Sequence, residues 1–130
     1  MKKAIQTPQA PPALGPYSQA LLLPPFLFVS GQLPIDPATG KIEESSIEGQ
    51  TRRVLLNIQA ILESASLSFE HVVKVEVFLK DLTHFHVMNE LYALFFKVPP
   101  FPARQTIQAA RLPLDSLIEI SCIAFSKQES

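Results

Sequence analysis

Between Val73 and Lys80 the chain alternates, with Val73, Val75, Val77 and Leu79 separated by Lys74, Glu76, Phe78 and Lys80. A period of two built on β-branched residues predicts a strand packed on one face. Upstream the period changes. Ile47, Thr51, Val54, Leu55, Ile58, Ile61, Leu62 and Ala65 recur at spacings of three and four, and Arg52, Arg53, Gln59 and Glu63 take the other side. That pattern predicts an amphipathic helix. Ser45-Ser46-Ile47-Glu48 fits a capping box at its start, and Gly49 is a local weakness inside it. Ser66 ends the helix where glycine would be the more comfortable left-handed cap. A second helix is expected from about Thr83 to Phe96, with Phe85, Met88, Leu91, Tyr92 and Phe95 as its apolar stripe and Pro99-Pro100 as its stop.

Two further strands are expected, Ala103 to Gln108 and Leu117 to Phe125. On the last, Ile118, Ile120, Cys122 and Ala124 form a row suited to helices. Leu117, Glu119, Ser121, Ile123 and Phe125 form a mixed but still greasy row on the other side. Prolines divide the chain: eight between Pro8 and Pro37, none from Ala38 to Val98, four from Pro99 to Pro113. Long regular elements therefore belong in the middle zone. Before it, Gln19–Leu23 and Phe26–Ser30 read as antiparallel strands around Pro24-Pro25, with residues 2–6 as a further edge strand. Asp36-Pro37-Ala38-Thr39-Gly40 reads as a turn. The order ββαβαββ predicts an α+β fold in a single domain spanning residues 1–130. Two helices can cover only one face of such a sheet, and a semi-apolar second face invites subunit association.

Composition agrees. The 130 residues are 47% hydrophobic and 18% charged, against about 25% charged in ordinary soluble domains. A net charge of −1 with an isoelectric point near 6.3 argues against electrostatic nucleic-acid binding, which needs a basic face. One cysteine, Cys122, allows no internal disulfide and suits a reducing compartment. Met1-Lys2-Lys3 is followed by no apolar run of signal-peptide type. The greasiest stretch, Ala20 to Val29, is ten residues broken by two prolines, where a membrane span needs about 20. A soluble, cytoplasmic protein is the expectation.

The standard catalytic constellations are missing. The four glycines, at 15, 31, 40 and 49, match no phosphate-loop fingerprint. His84 and His86 are two apart near a helix start and make a poor metal pair; His71 reads as a surface residue. Ser30 is not in a nucleophile elbow. What stands out is position. Arg104 follows the stiff Pro99-Pro100-Phe101-Pro102 segment and shares a strand face with Thr106 and Gln108. Glu119 is embedded in Ile118-Glu119-Ile120, and Tyr17 follows Gly15-Pro16 in an irregular segment. From the residues alone, a structural or surface ion pair between Arg104 and Glu119 is the plainer reading.

Seven segments in order carry a resemblance. They are Gly15-Pro16-Tyr17-Ser18, Ser30-Gly31-Gln32-Leu33-Pro34, Phe78-Leu79-Lys80-Asp81-Leu82, Asn89-Glu90-Leu91-Tyr92, Phe101-Pro102-Ala103-Arg104, Arg111-Leu112-Pro113 and Ile118-Glu119-Ile120. Together they resemble the Rid (YjgF-like) reactive intermediate deaminase family, most nearly its RidA-type members, over essentially the whole chain. The resemblance implies a chorismate-mutase-like subunit, a homotrimer with clefts between subunits, and no cofactor. It also implies hydrolysis of 2-enamine or 2-imine acids, such as 2-aminoacrylate, to 2-keto acids and ammonia. On that resemblance, Arg104 would bind the substrate carboxylate and Glu119 would orient or activate water. Gly31 and Thr106 would offer backbone groups, and Tyr17, Ser30 and Asn89 would line the cleft. Thr106 stands where many relatives carry cysteine, and Gln105 where a smaller residue is usual.

Overall fold

Strand β6 (Ile118–Phe125) organises the sheet, and its neighbours explain why. In the computed structural model, which describes residues 1–126, β6 lies between β3 (Phe26–Gln32) and β4 (Val72–Leu79) and pairs antiparallel with both. β2 (Ala20–Leu23) and β1 (Lys3–Ile5) extend the β3 side as antiparallel neighbours. β5 (Ala103–Gln108) pairs parallel with β4, giving the order β1-β2-β3-β6-β4-β5. Parallel neighbours need a crossover, and helix α2 (Phe85–Phe95) provides it for β4 and β5. Helix α1 (Ile47–Ser64) joins β3 to β4, with β6 later inserted between those strands. This is the expected α+β arrangement, and the weakly signalled edge strand is present as β1.

The core lies between the helices and one sheet face. Val54, Leu55, Ile58, Ile61 and Leu62 of α1 meet Leu27, Val29, Val75, Val77, Leu79, Ile118 and Ile120, all buried. Fully burying a side chain of this kind is worth about 1.5–3 kcal/mol, so α1 is held by its apolar stripe rather than by propensity. Among the described residues no helix lies over the other sheet face. It carries Phe26, Phe28 and Ile107, each near 40% exposed, with half-buried Phe78, Ile123 and Phe125 among Lys74, Glu76 and Glu119. Phe26 stacks edge-on against Phe125 at 5.3 Å.

Local chemistry corrects several expectations. The cap of α1 is Ser46, not Ser45: its hydroxyl accepts from the Gly49 N–H at 3.0 Å, so Glu48 is not the reciprocal capping residue. Gly49 is no defect there, because a Cβ on it would run into the Glu44 side chain. Val73 does not join the buried row. A bulge between Val72 and Lys74 sends Val72 inward and leaves Val73 45% exposed, since one extra residue reverses the alternation. The second helix begins with a short 3₁₀ turn, Leu82–His84, capped by the Asp81 carboxylate on the Thr83 N–H. Of its expected stripe, Met88 and Tyr92 are buried, while Phe85 is 38% exposed.

Polar groups tie down the irregular segments. The buried Gln19 amide accepts from the Thr7 N–H at 2.7 Å and donates to the Thr7, Ala10 and Pro11 carbonyls. Buried Asn57 of α1 donates to the Leu33 and Ile35 carbonyls. The Asp36 turn forms as expected, with Gly40 at φ +75° donating to the Asp36 carbonyl.

At the end of α1, Leu67 donates to the Leu62 carbonyl and Ser66 to that of Glu63, with Ser66 at φ +62°. This is a Schellman closure with a non-glycine residue in the left-handed region. That conformation costs an L-residue about 1–2 kcal/mol, partly offset by glycine's larger unfolded-state entropy. Ser66→Gly is therefore expected to raise unfolding stability by about 0.5–1 kcal/mol, read from urea midpoints at unchanged m-value; destabilisation would refute the strain.

Candidate functional site

Two groups of polar residues form on opposite faces of the sheet. The first is built on β5. Parallel pairing sets Arg104 beside Val75 and Thr106 beside Val77. Both valines point into the helix-covered side, so Arg104 and Thr106 share that face. The Arg104 guanidinium carbon lies 4.7 Å from the ring centre of Tyr92 and 5.6 Å from that of Phe85, both on α2. A cavity of about 420 Å³ opens here, lined by Asn89, Tyr92, Ala93, Phe96, Phe101, Pro102 and Arg104. Its walls are largely apolar, with a guanidinium and an amide as the polar exceptions.

The second group lies where β3 bulges. Val29 pairs with Cys122 and Gln32 with Ile120, which leaves one extra residue around Ser30-Gly31 opposite β6. Glu119 belongs to the helix-free row of β6, opposite Phe78 of β4. Its carboxylate packs against Gly31 so closely that a Cβ there would overlap a carboxylate oxygen. The Ser30 hydroxyl donates to the Ser18 carbonyl at 2.6 Å, and the Ser30 N–H to that of Gln19. The bulge thus anchors the segment that carries Tyr17. Tyr17 itself is 53% exposed, and its hydroxyl accepts from the Leu14 N–H at 3.2 Å.

The plain ion-pair reading of Arg104 and Glu119 is corrected by this geometry: the sheet stands between them. Among the described residues Arg111 pairs with Asp115 and the His86 imidazole lies 3.9 Å from the Glu90 carboxylate, both exposed, and neither contact involves Arg104 or Glu119. Of the candidate residues, Arg104 and Asn89 share the cavity, with Thr106 on the same face. Gly31 meets Glu119 on the other face, Ser30 beside it is turned to the Ser18 carbonyl, and Tyr17 follows in the segment that this bond anchors. Pattern reading missed the aromatic surroundings of Arg104. Phe85 and Tyr92 both belong to the expected apolar stripe of the second helix, and their seven-residue spacing, two helical turns, is the available signal.

The electrostatics follow from burial. Burial pushes the Glu119 carboxyl above its ordinary value of 4.5. Burial also raises the Tyr92 phenol to about 12, partly opposed by the nearby Arg104 charge, and the Cys122 thiol to about 12. Both stay protonated at neutral pH, so Cys122 is no nucleophile. The Tyr92 hydroxyl and the Thr106 Oγ1 are buried and have no hydrogen-bond partner among the described residues. No trio of His, Cys, Asp or Glu among those residues is placed to hold a metal ion, and no helix there is long and apolar enough to cross a membrane.

Both helices thus lie on one face of the sheet, with a bulge at Ser30-Gly31 and, on the parallel edge strand, an arginine that has no acidic partner among the described residues. The family model described as Endoribonuclease L-PSP matches residues 7–126, and the chain belongs to this YjgF/RutC/Rid family. It is 51% identical over 127 residues to a RutC family protein of Pyrococcus horikoshii, covering 98% of this chain and all of that one. It is 46% identical over 123 residues to Reactive Intermediate Deaminase A, chloroplastic, of Arabidopsis thaliana, covering 95% of this chain and 65% of that protein. The crystal structure of E. coli TdcF with bound serine superposes with a TM-score of 0.92 at 41% identity, covering 96% of this chain and 99% of that one.

The raised Glu119 pKa has a sign that can be checked. Below the ordinary carboxylate range the group is neutral folded and unfolded, so burial costs nothing. As pH rises from about 4.5 through the folded pKa, the folded state alone resists ionisation and stability is lost. Glu119→Gln should therefore raise the Tm at pH 7 and match wild type near pH 4. An equal difference at both pH values would contradict the burial account.

Proposed function

We propose that this protein hydrolyses 2-enamine and 2-imine acids, such as 2-aminoacrylate, to 2-keto acids and ammonia, in clefts between the subunits of a homotrimer. The observation that carries the reading is Arg104: a guanidinium at a cavity wall with no acidic partner among the described residues. A planar carboxylate is the ligand that such a fork matches with two parallel hydrogen bonds. The family membership and the Arabidopsis relative's name support the chemistry, and the serine held by TdcF is an amino acid with the same carboxylate.

The reaction needs little apparatus. A 2-enamine acid first tautomerises, C3 gaining a proton and nitrogen losing one; water then adds to C2 of the imine, the carbinolamine collapses with cleavage of the C–N bond, and nitrogen leaves as ammonia. Glu119 takes a proton from the attacking water and returns it to nitrogen, and the carbinolamine hydroxyl proton follows to the same nitrogen as the C–N bond breaks and the carbonyl forms. A carboxylate whose pKa burial has raised is a stronger base for that task than an exposed one. The imine carbon is already electrophilic, so positioning and electrostatics are enough without a nucleophile. Gly31 and Thr106 supply backbone groups near the substrate, while Tyr17, Ser30 and Asn89 line the cleft.

Subunit assembly is part of the mechanism. Arg104 and Glu119 lie on opposite faces of one sheet, so a single site uses both only if they come from different copies. The apolar, helix-free face with Phe26, Phe28 and Ile107 favours such assembly. A second reading, a carboxylate-binding module without turnover, is favoured by TdcF having been captured with serine. Turnover separates the two. With a dehydratase generating 2-aminoacrylate and semicarbazide trapping it, the protein should lower the yield of trapped adduct. Arg104→Ala should lose about 10²-fold in kcat/KM, and Arg104→Lys should recover little. Activity should fall at acid pH, with the limb above the ordinary carboxylate range. Undiminished adduct, or equal activity in Arg104→Ala, would refute the proposal.

A further inference from the structure

We propose that Phe85 and Tyr92 form an aromatic cradle that holds the Arg104 guanidinium ready for a carboxylate without neutralising it. The inference rests on the reading of Arg104 as the carboxylate anchor, and adds two positioning residues to it. Positions 85 and 92 are seven apart on α2 and fall on one face of the helix. Both ring centres lie within the roughly 6 Å over which an aromatic face attracts a cation. A guanidinium oriented by an aspartate would be held as firmly, but the aspartate would occupy the N–H fork and cancel its charge. A π face does neither, and Arg104 makes no ion pair among the described residues.

The cradle is itself fixed. Tyr92 is 8% exposed and stacks on Phe96 at 4.2 Å with an 18° tilt, and Phe96 meets Phe69 edge-on at 4.8 Å. Arg104 thus sits on a ring whose own position is set by packing. The phenol stays neutral near pH 7, so Tyr92 adds no counter-charge. Phe85 is 38% exposed and flanks the guanidinium from the rim, which leaves the approach to the fork open.

The test uses the full-length protein, calorimetric binding of 2-ketobutyrate and steady-state kinetics. Phe85→Leu and Tyr92→Leu should each weaken binding about three- to ten-fold and raise KM by a similar factor, with a smaller change in kcat. Phe85→Tyr and Tyr92→Phe, which keep the ring, should restore binding to within about two-fold. Wild-type affinity in both leucine variants, with Arg104→Ala losing binding, would overturn the cradle alone. Wild-type affinity in Arg104→Ala, or no binding by the wild-type protein, would overturn the anchor reading as well. Phe85 is partly exposed, so Phe85→Leu remains informative if Tyr92→Leu fails to fold. Equal weakening by Phe85→Leu and Phe85→Tyr would also count against the ring.

Discussion

The layer constraint governs this molecule: two helices have been laid over one face of a six-stranded sheet. Helix α1 covers the β3-β6-β4 centre, where Leu27, Ile120, Val75 and Val77 are buried against it. Helix α2 lies beside it and places Tyr92 over the parallel edge strand. The two faces then become different solvents. On the covered side Arg104 meets aromatic rings and a cavity. On the bare side Glu119 is half-buried against the backbone of Gly31. Register separates them as well: Arg104 lies level with Val75 and Glu119 level with Phe78, on the two strands that flank β4. The sheet keeps them apart and leaves each available to a ligand.

The proline-rich segments pose a complementary problem, because prolines give no N–H to a ladder. Buried amide side chains replace the missing hydrogen bonds. Gln19 serves both the donor and the carbonyls of residues 7–11, and Asn57 reaches from α1 to the carbonyls of Leu33 and Ile35. Gln50 bridges the Glu44 carbonyl and the Leu117 N–H. Asn57 thereby ties the segment that follows the Ser30-Gly31 bulge to helix α1, and Gln50 does the same for the entry to β6. Rigidity near the proposed cleft thus comes from a few side-chain amides as much as from proline itself.

Much of this was legible in the residues. The period-two row of β6 and the three-four spacing of α1 each identify a buried face, and both faces are buried as the patterns require. Val73 shows where pattern fails, since a bulge inserts one residue and reverses the facing of Val72 and Val73 while Val75, Val77 and Leu79 keep the expected face. The buried glutamines and Asn57 were invisible because polar residues are read as exposed until a partner is known. The opposition of Arg104 and Glu119 was hidden for a third reason. Each strand's alternation is clear, but their relative facing depends on pairing register through β4, which no local pattern encodes. The collinear motifs single out both as candidate residues; only register separates them.

The proposal that Arg104 and Glu119 act from different copies has one direct test. Arg104→Ala and Glu119→Gln chains, each impaired alone, can be co-expressed and purified as mixed oligomers with both chains verified by mass spectrometry. With random cyclic assembly, about a quarter of the clefts regain an intact arginine and an intact glutamate. Deaminase activity restored towards that fraction of wild type is the expected result. Mixed oligomers no more active than either parent would contradict a site shared between subunits.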